Sequence, residues 1–234
     1  MNLIRSIIFA LAQAIFTLSY ALFSPFIFPF GQHMRHRLLS GFAPGILWLL
    51  KVICGIRMEV RGLENIPKQA CVVLSKHQSA WETLSLQLVL PPHAWVAKRE
   101  LLWIPFFGWL LALSSPIALD RSKGKAAMKQ LLQKGKEKLR EGFCIVLFPE
   151  GTRIPFGQRG KYKIGGAMLA SHAGVPVLPV AHNAGKFWGR NAFIKKPGTI
   201  VMVIGPAIDT TGLKAEEINS RTEEWIEGEM TRLG

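Results

Sequence analysis

Acidic residues are scarce in this chain: 15 Asp and Glu stand against 29 Lys and Arg in 234 residues, a net charge of +14. The shortage is uneven. Residues 209–234 hold seven of the acids and only three basic residues, so the first 208 are basic almost throughout. Such a body calls for an anionic partner: nucleic acid, a membrane surface or phosphorylated substrates. Nucleic acid is set aside, because there is no helix-turn-helix signature, no zinc-finger spacing and no aromatic-laced basic strand motif. Cysteine is scarce too. Cys54, Cys71 and Cys144 lie far apart among apolar neighbours, the usage of small buried hydrophobes in a reducing compartment and not of a disulfide framework. With no Cys-x-x-Cys and no His-Glu-x-x-His, no metal is expected. The lack of Gly-x-Ser-x-Gly argues against a serine acyl-enzyme route. Internal repeats and low-complexity linkers are also missing, which leaves room for one α/β domain of ordinary size plus an appendage.

What the chain does have is apolar sequence, 49% of it. Residues 1–30 carry a single charge, Arg5, and Ser6 to Phe23 is eighteen uncharged residues, the lower edge of a bilayer span. A signal peptide is the rival reading. The stretch outruns the usual length and continues into SerProPheIlePhePro with no small-x-small cleavage site, so a retained membrane anchor is expected. A second apolar block, 41–53, follows the basic turn GlnHisMetArgHisArg (32–37). The two blocks suit either a hairpin in one leaflet or a span plus an interfacial helix. Arg35, Arg37, Lys51 and Arg57 would meet anionic headgroups in both cases and favour the cytoplasmic side. A third run, 101–113, is short and interrupted by Pro105 and Gly108. It fits a buried helix and an interfacial one equally, with Trp103 and Trp109 as its aromatics.

From residue 57 onward short apolar runs alternate with helical stretches. Residues 57–61, 70–74, 94–97, 116–119, 143–148, 176–181 and 199–204 read as strands, and several are apolar throughout, as strands covered on both faces are. Lys123–Glu141 reads as an amphipathic helix with seven Lys and Arg off its apolar face, and Ala215–Leu233 as a C-terminal helix. This alternation predicts an α/β fold with a mixed, largely parallel sheet flanked by helices. The expected division is 1–56, hydrophobic anchoring helices, and 57–234, the α/β domain with its C-terminal helix.

The motifs follow strands, where active sites of open α/β sheets gather. After the run ending at Leu74 comes HisGlnSerAlaTrpGlu (77–82). Ser79-x-x-Glu82 is a capping box; five residues along a helix would put His77 and Glu82 on different faces. They meet only if His77 precedes the helix and Glu82 lies in its first turn, with Ser79 as N-cap. Capping and catalysis are then compatible: Glu82 holds His77 through Nδ1–H and leaves Nε2 to accept a proton. The backbone N–H groups after His77 are candidates for stabilising an oxyanion. His93, His172 and His182 have no partner at a telling spacing and are not expected to be catalytic.

HisGlnSerAlaTrpGlu (77–82), AlaLysArgGluLeuLeuTrpIleProPhePheGlyTrp (97–109), PheProGluGlyThrArg (148–153) and ValProValLeuProValAla (175–181) resemble, in order and spacing, the four motif blocks of the glycerolipid acyltransferases. The nearest likeness is to their lysophosphatidic acid acyltransferase branch. The resemblance covers about residues 57–205. It implies His77 as general base and Glu82 as its orienting carboxylate, where the family has aspartate. It implies that Lys98, Arg99, Glu150, Gly151, Thr152 and Arg153 bind the acceptor's phosphate, Arg153 foremost, since a guanidinium grips phosphate bidentately. Glu150, beside Arg153, reads as an organiser of that site; Lys161 and Lys163 are weaker candidates for it. The fourth block reads either as an acyl-chain wall or as a buried core strand.

The implied reaction moves a fatty acyl group from a thioester, acyl-CoA or acyl carrier protein, to the sn-2 hydroxyl of lysophosphatidate, with no cofactor. Membrane phospholipids are the expected surroundings, at the cytoplasmic side of a bacterial inner membrane. Rival readings are the same chemistry on another lysolipid and a non-catalytic membrane lipid-binding protein.

Overall fold

The computed structural model describes residues 1–234. Seven strands, β1 (Ile56–Arg61), β2 (Val72–Ser75), β3 (His93–Lys98), β4 (Ile117–Leu119), β5 (Cys144–Leu147), β6 (Val177–His182) and β7 (Gly198–Ile204), form one sheet in the order β1-β7-β6-β2-β5-β3-β4. Every expected strand is present. All neighbours run parallel except β6 and β7, which are antiparallel.

Nine helices accompany the sheet: α1 (Asn2–Ile27), α2 (Gln32–Ser40), α3 (Phe42–Cys54), α4 (Trp81–Val89), α5 (Phe107–Leu113), α6 (Lys125–Arg140), α7 (Gly165–Ala173), the single turn α8 (Ala184–Phe187) and α9 (Ala215–Arg232). Successive residues of a strand point to opposite faces, and here both faces are covered. Val73, Val146 and Leu178 face a core built with Phe9 of α1, Ile46 and Leu50 of α3 and Trp81 of α4. Val72, Leu74, Ile145 and Val177 face the other, with Leu131 and Leu139 of α6, Leu169 of α7 and Ile218 of α9. That is why these strands read as unbroken apolar runs. Cys71, just before β2, and Cys144, the first residue of β5, are buried free thiols with their sulfurs 3.6 Å apart, within S–H···S hydrogen-bond distance.

Gly55, with φ 69°, ends α3 one residue before β1, so the expected boundary at 56 falls at that turn. The segments on its two sides share a core, since Phe9, Ile46 and Leu50 pack against the sheet. The outer face of α1 is another matter: Ile4, Leu11, Ile15, Leu22 and Phe26 are exposed. So many large apolar side chains on one helix face mark a surface for lipid or protein. Residues 2–27 and 32–54 are long and apolar enough to cross a membrane. Residues 101–113 become a 3₁₀ turn (Arg99–Trp103) and α5, with Trp103 75% and Trp109 52% exposed, beside α1. The buried-helix alternative is therefore not the one adopted: both tryptophans lie at the protein surface.

Candidate active site

The sheet's register assembles the site. β2 and β5 are neighbours, Leu74 opposite Leu147, so the loops that follow them leave the sheet side by side. Two hydrogen bonds tie these loops: His77 N–H donates to Glu150 Oε2 (3.0 Å), and Ile154 N–H to the His77 carbonyl (2.8 Å). On the other side of β5, Lys98 at the end of β3 is opposite Leu119 of β4, two residues before Arg121. Four parallel strands thus deliver His77, Arg153, Lys98 and Arg121 to one end of the sheet.

His77 precedes α4 and Glu82 lies in its first turn, as the spacing requires. The His77 Nδ1–Glu82 Oε1 distance is 2.7 Å. Glu82 Oε1 also accepts the N–H groups of Gln78 (3.0 Å) and Ser79 (2.9 Å), so the carboxylate caps the helix as well as holding the imidazole. The helix begins one residue later than a Ser79 N-cap implies; Ser79 Oγ instead accepts from Trp81 N–H (3.1 Å). Since the ionised carboxylate only accepts, Nδ1 carries the proton and Nε2 is left as the acceptor. The imidazole stacks on Phe148, centroids 4.0 Å apart and 12° between planes. Burial pushes the Glu82 carboxyl upward, but His182, His77 and the Ser79 N–H outweigh it and hold Glu82 below the usual carboxylate range.

A cleft of about 660 Å³ opens above this pair. Its polar lining is His77, Lys98, Arg121, Thr152, Arg153 and Arg190. Its apolar lining comes from helices, Leu39, Phe42, Leu84, Leu110 and Leu111, with Trp95 from β3. Lined by both cationic and apolar side chains, it has the chemistry of a site for an anionic amphiphile. Arg121 Nη1 donates to the Gly151 carbonyl (2.5 Å) and Arg190 Nη1 to that of Arg153 (3.1 Å). Those contacts hold the guanidiniums without neutralising them.

Of the residues expected at the phosphate, Lys98, Gly151, Thr152 and Arg153 line the cleft. Gly151 takes φ 69°, and a Cβ there would come 2.8 Å from Lys163 Nζ, so the turn requires glycine. Arg99 and Glu150 are not among the cleft's lining residues. Arg99 opens the 3₁₀ turn and is exposed. Glu150 turns inward, its side chain fully buried, to pair with Lys76 Nζ at 2.7 Å. Its other oxygen accepts the His77 N–H, so it organises the loop. Lys161 and Lys163 do not line the cleft either. The fourth block, 175–181, contains the buried central strand β6, and its core-strand reading is the one realised.

The backbone N–H groups after His77 differ from expectation as well. Gln78 and Ser79 give theirs to Glu82, and Trp81 gives its own to Ser79. None of these three is free for an oxyanion.

Arg121, Arg190, Lys76, Tyr162 and Glu227 escaped the sequence reading, and His182 was set aside by it. Arg121 and Arg190 line the cleft; Arg121 follows β4 directly, and the rule that singled out His77 would have found it. Lys76 is wholly buried between Glu150 and Glu227, each 2.7 Å away, and Tyr162 Oη donates to Glu227 Oε1 (2.8 Å). Glu227 arrives from α9, and nothing local at either residue signals the meeting. His182 is buried behind Glu82, with Nε2 3.9 Å from Oε2.

Comparison with known proteins agrees with this geometry. The Acyltransferase family model matches residues 57–183. A 1-acyl-sn-glycerol-3-phosphate acyltransferase of Pseudomonas aeruginosa is 48% identical over 98% of this chain and 91% of its own. The human 1-acyl-sn-glycerol-3-phosphate acyltransferase beta is 32% identical over 72% of this chain, which spans 62% of that relative. The crystal structure of a 1-acyl-sn-glycerophosphate acyltransferase from Thermotoga maritima superposes with a TM-score of 0.83 at 25% identity, over 99% of this chain and 95% of that one. With its motif loops on one sheet end and more than half its length matched, the chain belongs to the Acyltransferase family.

Proposed function

We propose that the protein is a 1-acyl-sn-glycerol-3-phosphate acyltransferase, moving a fatty acyl group from a thioester to the sn-2 hydroxyl of lysophosphatidate and giving phosphatidate. One observation carries this: the imidazole of His77, oriented by Glu82, opens into a cleft lined by three guanidiniums and by apolar side chains from the surrounding helices. The relatives named above act in the same class of reaction.

Arg153, with Arg121, Arg190 and Lys98, grips the phosphate, and the acyl chains lie along the apolar lining. His77 Nε2 takes the hydroxyl proton as the oxygen attacks the thioester carbonyl, and Glu82 stabilises the imidazolium. The new C–O ester bond forms, the C–S bond breaks, and the thiolate leaves with the proton that His77 returns. Such a base contributes about 10²–10⁴-fold. The donor is acyl-CoA or an acyl carrier protein thioester. The apolar faces of α1 and α5 rest in membrane lipid, at the cytoplasmic side of a bacterial inner membrane, and the basic body meets its anionic headgroups.

The test uses the purified full chain in liposomes, with labelled thioester donors crossed against lysophosphatidate and lysolipids bearing no phosphomonoester. Donor-dependent phosphatidate, abolished in His77→Ala, is expected. Undiminished product from that variant, or equal use of the other acceptors, would sink the reading.

A further inference from the structure

His182 is the last residue of β6, wholly buried, with its ring edge-on to Trp81 at a centroid distance of 5.8 Å. Its two nitrogens have unlike partners. Nδ1 faces the Ala184 N–H (3.3 Å) and Nε2 faces the Lys76 carbonyl (2.9 Å). A nitrogen facing a donor must accept, and one facing a carbonyl must donate. The proton therefore sits on Nε2 and the ring is neutral. That same N–H is 3.9 Å from Glu82 Oε2, the carboxylate oxygen that does not touch His77.

The Lys76 carbonyl belongs to the peptide leading into His77. The N–H of that peptide is held by Glu150, and the Lys76 side chain lies between Glu150 and Glu227. His182 thus fastens the carbonyl side of a peptide whose amide side is already fastened. It also turns an N–H dipole toward a buried carboxylate that needs such support to stay ionised.

We propose that His182 is a positioning residue of the acyl transfer: as a neutral imidazole with its proton on Nε2, it anchors the Lys76–His77 peptide and backs Glu82, fixing the base that meets the acceptor hydroxyl. The proposal rests on His77 being that base. His182 touches neither the cleft nor a substrate, so its removal acts on kcat and leaves binding in place.

Glutamine and asparagine separate position from polarity. A glutamine amide reaches the place of Nε2 and donates to the Lys76 carbonyl; an asparagine amide reaches only that of Nδ1. The experiment measures kcat, both KM values and the thermal midpoint for His182→Gln, His182→Asn and His182→Leu in liposomes, beside His77→Ala. Expected are His182→Gln within about threefold of the parent and losses of roughly 10–100-fold in kcat for His182→Asn and His182→Leu, the scale of a misplacement of about 1 Å. Both KM values should stay within about twofold. A folded His182→Asn or His182→Leu with parental kcat overturns the proposal, as does a loss that appears in KM. An active His77→Ala would instead overturn the parent reading. Where a variant fails to fold, ¹⁵N-histidine NMR of the parent in nanodiscs decides: an Nε2–H tautomer is expected at neutral pH, and an Nδ1–H tautomer or an imidazolium at His182 refutes it.

Discussion

Glu82 Oε1 stands 2.7 Å from His77 Nδ1 while the same oxygen accepts two backbone N–H groups, those of Gln78 and Ser79. One carboxylate closes the helix and orients the base, so a substitution there reaches both roles. Glu82→Gln keeps the length but loses the charge that stabilises the imidazolium, and it risks turning an amide N–H toward that of Ser79. Its kcat should fall about 10²–10⁴-fold, the worth of the oriented base, with a stability loss of about 1–3 kcal/mol from unsatisfied buried donors. Glu82→Asp keeps the charge but is one methylene short of serving all three donors, and should lose less than Glu82→Gln. Single-turnover rates and denaturant unfolding of the three proteins check this ordering; a Glu82→Gln enzyme as fast as Glu82→Asp would refute it.

The guanidiniums lining the cleft yield a prediction about KM. Arg153→Lys keeps the charge but gives up the bidentate fork. A hydrogen bond to a charged group is worth about 1.5–3 kcal/mol, so the KM for lysophosphatidate should rise by roughly 10–100-fold. The KM for the thioester should stay near the parent value. Arg121→Gln and Arg190→Gln should act in the same direction, since both side chains line the cleft and are held by carbonyls of the loop that carries Arg153. A change confined to the donor's KM would place the phosphate elsewhere.

How much of this the sequence carried depended on the range of the signal. All seven strands were legible: β2, β5 and β6, buried at every residue, left unbroken apolar runs such as 143–148, and the others short β-branched or aromatic runs bounded by Gly, Pro or charges. The His77–Glu82 pair was legible because its geometry is local to one helix start. Lys76 was invisible: a lysine before His77 says nothing of a glutamate 151 residues later that encloses it. His182 was passed over for the same reason, its partners Lys76 and Glu82 being brought close only by the pairing of β2 with β6. Glu150 was legible as a member of its loop, but its inward turn toward Lys76 was not, because a motif fixes neighbours in sequence and not which way each side chain turns.

Lys76 between Glu150 and Glu227 predicts an asymmetry in stability. Lys76→Met leaves the buried Glu150 and the partly buried Glu227 facing each other without their cation, a change of the kind that costs about 3–5 kcal/mol when both partners are fully buried. Glu227→Gln is milder, because Lys76 keeps Glu150 and Tyr162 keeps a hydrogen-bond acceptor. Urea unfolding should order the proteins parent, Glu227→Gln, Lys76→Met. Adding Glu227→Gln to Lys76→Met should recover part of the loss, since it removes one of the uncompensated charges. Strict additivity of the two substitutions would show that the three groups are not coupled.

Acid should destabilise the fold well before its carboxylates are titrated. Burial pushes the His93 imidazole down from 6.5 to about 4, the Pro91 carbonyl opposing only in part, and burial lowers His182 as well. A folded-state value below the unfolded one means that the unfolded chain binds more protons in the window between them. The stability tied to His93 is therefore complete above pH 6.5 and declines as the pH falls toward 4. Between pH 7 and 5 this amounts to roughly 2 kcal/mol from His93 alone, at 1.36 kcal/mol per pH unit below 6.5. Glu82, held below the carboxylate range, adds its own loss only as the pH falls below its unfolded value near 4.5. Urea unfolding at pH 7 and pH 5 should show the parent weakening, offset in part by Glu150, whose carboxyl is pushed upward by burial, and His93→Asn, less stable at pH 7, weakening by about 2 kcal/mol less than the parent. Equal pH dependence in the two proteins would mean that His93 takes up its proton in the folded state as readily as in the unfolded one.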